Sequence, residues 1–213
     1  MPKITAVEKQ KRRPDRVSVF VDGSFAAGLA AASARDLGLA AGRELAEDEL
    51  RAMALAAEVD RAYGRALRYL RPRLRSRLEL ERRLKRYGYG ADVIDAVIRL
   101  LAERRLLDDR AFAGAWVRDR VRLKPKSRRA LRAELAAKGV APEEVEAALD
   151  ENVDEAEEAL ARRALGGRVE ALKAKGERDG RAAALSFLAR RGFDAGLTRR
   201  LADDLFRPDG NRP

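Results

Sequence analysis

The sequence predicts a mostly α-helical protein of three tandem three-helix repeats, preceded by a small N-terminal β-hairpin or ribbon. Three observations carry that prediction. First, Leu84-x-x-x-Gly88, Leu135-x-x-x-Gly139 and Leu188-x-x-x-Gly192 recur 51 and 53 residues apart. An apolar residue follows each glycine (Tyr89, Val140, Phe193), and Val97-Ile98, Ala148-Leu149 and Leu201-Ala202 recur in register beyond it. Self-similarity at such a period is the signature of a repeat architecture. Second, Ala, Leu, Arg and Glu dominate the chain, and all are strong helix formers. Third, strand-like alternation is confined to the first 30 residues.

Residues 1–30 form the ribbon. Ile4-Thr5-Ala6-Val7 and Val17-Ser18-Val19-Phe20-Val21 alternate as strands do, and the polar Glu8–Arg16 segment joins them as a hairpin-like loop. Asp22-Gly23 marks a tight turn, and Ser24-Phe25-Ala26 adds a short third strand. Residues 31–60 read as a connecting helical segment. Leu29–Leu39 shows no single periodicity. Leu45–Glu58 reads as a helix with Glu47, Asp48 and Glu49 in its early turns, open to continuing past Asp60. Pro72 marks a kink or boundary.

The first repeat spans 61–108. Ser76 and Glu79 have capping-box spacing, Leu80 and Leu84 share a helix face, and Gly88 suits the left-handed helix stop. Asp92 is placed to cap a second helix carrying Val93, Ile94, Val97, Ile98 and Leu101. The second repeat spans 109–154. Asp108 or Asp109 caps its first helix, which carries Phe112 and Trp116 and ends by Pro125. Ser127 caps the next, and Pro142-Glu143-Glu144 opens the third. The third repeat, 155–206, is loosened by Gly166-Gly167 and by the stretch 175–180. Residues 207–213 read as a disordered tail.

Composition narrows the chemistry. The 213 residues include no cysteine and no histidine. That excludes disulfides, Cys/His zinc sites, Ser-His-Asp and Cys-His triads and histidine acid–base catalysis. No cofactor or metal is expected. The N-terminus lacks an apolar signal core, and the longest weakly apolar run, Phe25–Ala34, is about half of what spans a bilayer. A cytoplasmic protein without membrane contact is expected. The net charge of +11 favours a polyanionic partner, nucleic acid first, although a high-GC genome also raises Arg and Ala.

Charge falls in blocks. Arg61–Arg86 holds 11 basic and 2 acidic residues, Arg118–Lys138 holds 9 and 2, and Ala141–Glu158 holds 9 acidic and no basic residues. Such separation suggests one basic and one acidic face. The candidate binding residues of the first repeat are Arg68, Arg71, Arg73, Arg75, Arg82, Arg83 and Arg86. Those of the second are Arg118, Arg120, Arg122, Lys124, Lys126, Arg128, Arg129 and Arg132. Guanidinium forks match phosphate and carboxylate oxygens in pairs. The plainer reading is a solvated face paired with the chain's own acids.

Other motifs carry less. A DNA-reading helix-turn-helix needs a polar second helix, but Asp92–Arg104 is mostly Val, Ile and Leu, and 143–150 is acidic. Asp108-Asp109 reads as a helix cap before a metal site. Gly88-x-Gly90 follows a helix rather than a strand and is no dinucleotide fingerprint. Tyr87, Tyr89, Phe112, Trp116 and Phe193 read most simply as core or turn residues, with stacking of an exposed Tyr on a base the weaker alternative.

Together, Arg73-x-Arg75-Ser76-x-x-Glu79-Leu80, Leu84-x-x-x-Gly88, Leu107-Asp108-Asp109-x-x-Phe112-Ala113, Lys138-Gly139-Val140 and Arg191-Gly192-Phe193 form a specific spaced set. With Phe20-Val21-Asp22-Gly23 near the start, the chain resembles the RecX family, bacterial regulators of the RecA recombinase, over about residues 4–206. The resemblance implies that the repeats form an elongated curved array lying along the RecA–single-stranded DNA filament. It implies inhibition of strand exchange, ATP hydrolysis and co-protease activity, without catalytic residues. The partners implied are RecA in its filament and single-stranded DNA, with duplex DNA a further candidate for the basic face; a monomer is expected. The chain departs from the family in a long Ala-rich N-terminal part, a Gly-interrupted third repeat and an unusual richness in Arg. The competing readings are a sequence-tolerant DNA-binding or transcription-regulating protein independent of RecA, and a metal-dependent nuclease resting only on Asp108-Asp109.

Overall fold

The computed structural model describes residues 1–207, with three strands and eleven helices among them. The expected disordered tail, beyond Arg207, lies outside the described residues. The strands β1 (Ile4–Gln10), β2 (Arg13–Val21) and β3 (Ser24–Ala30) pair antiparallel in the order β1-β2-β3. The expected Glu8–Arg16 loop is in fact mostly strand, and only Lys11 and Arg12 turn. Charged side chains do not oppose pairing when they stand on a solvent face, so backbone hydrogen bonding carries the ladder through them. At the next turn Asp22 and Gly23 both take positive φ, 49° and 79°, as a two-residue type I′ hairpin requires. β3 runs four residues past the expected Ala26. Leu29, its key inward residue, pairs with Val17 and is fully buried.

The ribbon alone would be marginal, and it is covered. Ile4, Val19 and Leu29 pack with Ala34, Leu45, Met53 and Ala57 in one cluster. Ala34 lies on α1 (Ala31–Asp36), and Met53 and Ala57 lie on α2 (Glu47–Leu70). Helix α2 is one unbroken helix of 24 residues that ends two residues before Pro72. The residue before a proline disfavours helix, which sets that end. Asp60 on α2 accepts from the Ala30 N–H and from Ser33 Oγ (3.2 Å), tying the sheet's exit to the helix.

The chain divides into two compact units, Met1–Arg75 with Glu79–Leu107, and Ser76–Leu78 with the residues from Asp108 onward. In the first, α2 packs on α3 (Arg77–Arg86) and α4 (Ala91–Glu103). Ala62 and Ala66 of α2 meet Leu80, Leu84, Val97 and Leu101, all fully buried. Small residues one turn apart let helix backbones approach closely. Helix α4 is capped by Gly90, and Asp92 lies inside its first turn rather than at the cap. A negative charge there still faces the positive end of the helix.

The second unit contains α5 (Asp109–Leu123), α6 (Arg128–Ala137), α7 (Pro142–Asn152), α8 (Glu157–Gly166), α9 (Val169–Lys173), α10 (Glu177–Arg190) and α11 (Ala195–Leu205). Asp108, not Asp109, caps α5, its carboxylate accepting from Ala111 N at 2.9 Å. Asp109 accepts from Arg77 N at 2.8 Å. Gly166-Gly167 breaks the first helix of the last repeat into α8 and α9. Helix α10 then starts inside the stretch expected to be loose. It can do so because Gly180 is buried where any Cβ would overlap Leu172 O and lie 2.5 Å from Phe206.

The repeated motif has one physical meaning. Gly88, Gly139 and Gly192 take φ of 85°, 77° and 84°. In each case the next residue's N–H returns to the leucine carbonyl: Tyr89 to Leu84 (3.4 Å), Val140 to Leu135 (3.2 Å), Phe193 to Leu188 (3.3 Å). This is the Schellman stop, with the leucine at C3 and its apolar partner just past the glycine. Two of the three turns are also sockets. Ser76 Oγ donates to Lys138 O at 2.7 Å, and Ser127 Oγ donates to Gly192 O at 2.8 Å. Both serines are fully buried. The gap left by hydrogen at Gly139 is filled by Leu78, and at Gly192 by Ala130 and Ser127, whereas Gly88 meets nothing within 4 Å.

Candidate functional site

The two basic blocks have different fates in the fold. In the second, the acidic block turns back onto it. Arg132 forks onto Glu146 (2.5 and 2.8 Å), Arg128 pairs with Asp150, and Arg122 lies 3.8 Å from Asp119. The Glu146 hydrogen bond raises the Arg132 pKa, and the same bond lowers that of Glu146. Arg118 donates to Asn152 Oδ1 (3.0 Å) and Arg129 to Gly192 O (3.1 Å). Arg120 and Lys126 both meet Glu134, which also accepts from Trp116 Nε1 at 2.9 Å. Of the eight residues singled out here, Lys124 is the exposed one with no such partner among the described residues. Blocks that are separate along the chain therefore meet in space. Two acids of the expected acidic face, Glu146 and Asp150, are thereby drawn onto the basic block, because the helix-turn-helix folds α7 back over α6.

The first block has almost no acid to meet. Arg73 pairs with Glu79 at 3.2 Å and also donates to Leu74 O at 2.8 Å. Arg68, Arg71, Arg75, Arg82, Arg83 and Arg86 make no ion pair within the described residues. Four arginines gather instead around a pocket of about 230 Å³. Arg65 and Arg68 lie near the end of α2, one turn apart with Tyr69 beside them. Arg75 comes from the segment after Pro72, and Arg83 and Tyr87 from the end of α3. Positions three and four apart on a helix share a face, so this clustering follows from the sequence spacing once α2 is continuous.

Tyrosine rings order these cations. Arg75 stacks over Tyr69 at 4.3 Å, while Arg65 and Arg83 lie over Tyr87 at 4.6 and 4.7 Å. A guanidinium stacked by its face keeps its in-plane N–H donors free for an anion. The Nε atoms of Arg75 and Arg83 are sealed from solvent and have no acceptor. Arg82 and Arg86 line an adjoining, mostly apolar hollow with Tyr69, Glu79 and Lys85. Five of the seven arginines that the sequence singles out in the first block lie on these two surfaces, but Arg65, Tyr69 and Tyr87 are not among the residues it singles out for binding. Tyr87 is expected in core or turn packing, and it lies in the turn after α3, 40% exposed, with its N–H returning to Leu84 O at 2.9 Å. Among the described residues, no group of three acidic side chains is placed to hold a metal ion, and no helix is long and apolar enough to cross a membrane.

Comparison with known proteins bears on the family and the fold. Residues 2–46 match the regulatory protein RecX N-terminal domain, 62–100 the RecX first three-helix domain, and 108–149 the RecX second three-helix domain. A regulatory protein RecX of Thermobifida fusca is 37% identical over 150 residues, covering 70% of this chain and 81% of that one. The chain belongs to the RecX family. A second RecX relative, from Limosilactobacillus reuteri, is 29% identical over 163 residues, 76% of this chain but only 61% of the relative's length. A crystal structure of a regulatory protein RecX superposes with a TM-score of 0.77 at 26% identity, covering 95% of this chain and all of that one. The RecX family thus accounts for the mostly helical repeat fold and the small N-terminal sheet. Its relatives are named as regulatory proteins.

Proposed function

We propose that this chain is a non-enzymatic regulator of the RecA recombinase, acting in the cytoplasm as a monomer. It binds the RecA–single-stranded DNA filament and inhibits strand exchange, ATP hydrolysis and co-protease activity. The observation that carries the reading, given RecX membership, is the cluster of Arg65, Arg68, Arg75, Arg82, Arg83 and Arg86 in the first unit, which make no ion pair among the described residues. A cluster with so few acids of its own is suited to filament DNA phosphates or to acidic RecA surface. The second block contributes less, because four of its eight candidate cations, Arg120, Lys126, Arg128 and Arg132, are engaged by Glu134, Glu146 and Asp150.

The test is RecA ATP hydrolysis on single-stranded DNA, titrated with this protein at physiological salt. Inhibition is expected well below one copy per RecA protomer. The triple variant Arg82→Gln, Arg83→Gln, Arg86→Gln is expected to raise the half-inhibitory concentration about tenfold and to flatten its salt dependence. Each phosphate that is no longer neutralised takes about 1 off the log–log slope. Unchanged inhibition in that variant rules out this face. Inhibition seen only when the protein can coat all the DNA instead supports the alternative, a DNA-binding protein acting independently of RecA.

A further inference from the structure

We infer that the pocket formed by Arg65, Arg68, Tyr69, Arg75, Arg83 and Tyr87 is a phosphate-binding site that seats a backbone phosphate of single-stranded nucleic acid. The inference rests on the reading that this face meets nucleic acid, and adds the residues and the chemistry of the contact.

Three features lead to it. The lining holds four guanidinium groups and no acid, and none of the four has an ion-pair partner elsewhere in the described chain. Half of that charge is built in rather than trailing in solvent: Arg65 and Arg68 are exposed, but Arg75 and Arg83 are half-buried, and the Nε of each is shut off from water without an acceptor. Holding guanidinium groups partly desolvated and uncompensated is unfavourable, and a bound anion supplies the missing counter-charge. Finally, Tyr69 and Tyr87 hold the guanidinium groups of Arg65, Arg75 and Arg83 over their rings at 4.3–4.7 Å, which restrains them at the rim of the hollow.

The geometry favours phosphate over a protein carboxylate. One carboxylate satisfies one fork in bidentate fashion. Four forks around one hollow match a group with oxygens on several sides. The hollow, about 230 Å³, is also far larger than the ~30 Å³ share of one water, leaving room for the sugar attached to the phosphate. It is open to solvent at Tyr87, which suits one link of a chain that enters and leaves.

The test uses the full chain with RecA absent, and the probe is a fluorescein-labelled thymidine oligonucleotide followed by anisotropy. The double variant Arg75→Gln, Arg83→Gln is expected to bind about tenfold more weakly, with the salt slope reduced by about 1 to 2. Arg75→Lys, Arg83→Lys, which keeps the charge but removes the forks and stacking, is expected to retain most of the salt slope while binding more weakly. Lys11→Gln, Arg12→Gln removes the same charge from the ribbon turn and is expected to bind as the parent does. Pyrophosphate is expected to displace the oligonucleotide at concentrations where chloride of equal ionic strength does not. Equal weakening in the pocket and ribbon variants overturns the proposal, since overall charge then explains binding. Pyrophosphate binding that the pocket variants abolish, with oligonucleotide affinity unchanged, assigns the pocket to a small phosphate compound and overturns the nucleic-acid source. Unchanged oligonucleotide affinity together with abolished RecA inhibition assigns it to an acidic RecA surface, which overturns this inference but leaves the proposed function standing. Helical ellipticity and thermal midpoint check that each variant is folded, and the lysine pair decides the matter if the glutamine pair is not.

Discussion

Gly192→Ala is expected to cost the second unit about 2–4 kcal/mol, against about 1 kcal/mol for Gly88→Ala. Both glycines take nearly the same left-handed φ, 84° and 85°, and that conformation costs an L-residue about 1–2 kcal/mol. The difference lies in what a methyl group meets. At Gly88 it meets nothing within 4 Å. At Gly192 it would lie 2.6 Å from Ala130 Cβ and 2.7 Å from Ser127 Oγ. Ala130 Cβ is fixed to the helix backbone, so it cannot swing aside. Ser127 is itself held, donating to Gly192 O and accepting from Ala130 N at 3.0 Å. The methyl must push α6 away from the turn, and overpacking of that kind adds about 1–3 kcal/mol. Urea denaturation followed by helical ellipticity reads both variants. A Gly192→Ala midpoint no lower than that of Gly88→Ala would show that the socket is not tight.

The second large effect is at Glu134. Its carboxylate is engaged by Lys126, by Arg120 Nε (3.1 Å) and by Trp116 Nε1 (2.9 Å). Trp116 is in turn stacked against Arg120 at 4.0 Å and Lys138 at 4.2 Å. Burial pushes the Glu134 pKa up, but the hydrogen bonds from Lys126, Trp116 and Arg120 and the charge of Lys126 outweigh it, leaving the pKa lowered. Glu134→Gln strands two cations and weakens the indole's bond. The expected cost is about 1–3 kcal/mol at neutral pH, set below that of a dry ion pair because the side chains of Glu134, Lys126 and Arg120 are 22%, 27% and 28% exposed. The sign with pH follows from the direction of the shift. A carboxyl lowered in the folded state contributes fully above its unfolded pKa, about 4.3, and that contribution fades as pH falls through the folded value. The gap between parent and Glu134→Gln is therefore expected to be flat from about pH 6 to 8 and to close below about pH 4. Trp116, the chain's one tryptophan, reports this directly by fluorescence. A gap that widens in acid would contradict the assignment.

Much of the scaffold is legible in the sequence because its signals are local. Leu84, Leu135 and Leu188 are all fully buried, and the glycine four residues on from each takes positive φ. A Schellman stop needs only adjacent residues, so it can be read without knowing the fold. The Asp22-Gly23 turn and the Ser127 cap are local in the same sense. The misreadings concern what distant residues do. Nothing near Glu8 or Arg16 announces that charged positions will pair as strands, since their partners lie on the other side of the turn. Asp92 looks like a cap because Asp often is one, but Gly90 takes the extended conformation before α4. Charge is the least legible feature. Arg128 and Arg132 are separated from Asp150 and Glu146 by 22 and 14 residues, and only the folding of α7 onto α6 brings them together. The pocket likewise needs α2 to continue past Asp60, which alone places Arg65 and Tyr69 opposite Arg83 and Tyr87. Pro72 is a clear stop, but no local pattern tells which tyrosines the arginines beyond it stack upon.

The two serine locks have a consequence for how the protein responds to its solvent. Neither carries a formal charge: each is a buried hydroxyl donating to a backbone carbonyl beside a glycine turn. Dissolved ions screen attraction between exposed charges beyond about 8 Å at physiological strength, yet they have no purchase on such a bond. The arginine cluster is the opposite, with its free energy of contact residing in charge. Frame and grip therefore answer to different variables. Raising the ionic strength is expected to release a polyanion from a protein whose turns stay latched, and lowering it again to restore the grip without any refolding. A swing in salt then acts mainly on occupancy, since the two latched turns are indifferent to it, and a salt wash recovers the protein in working form.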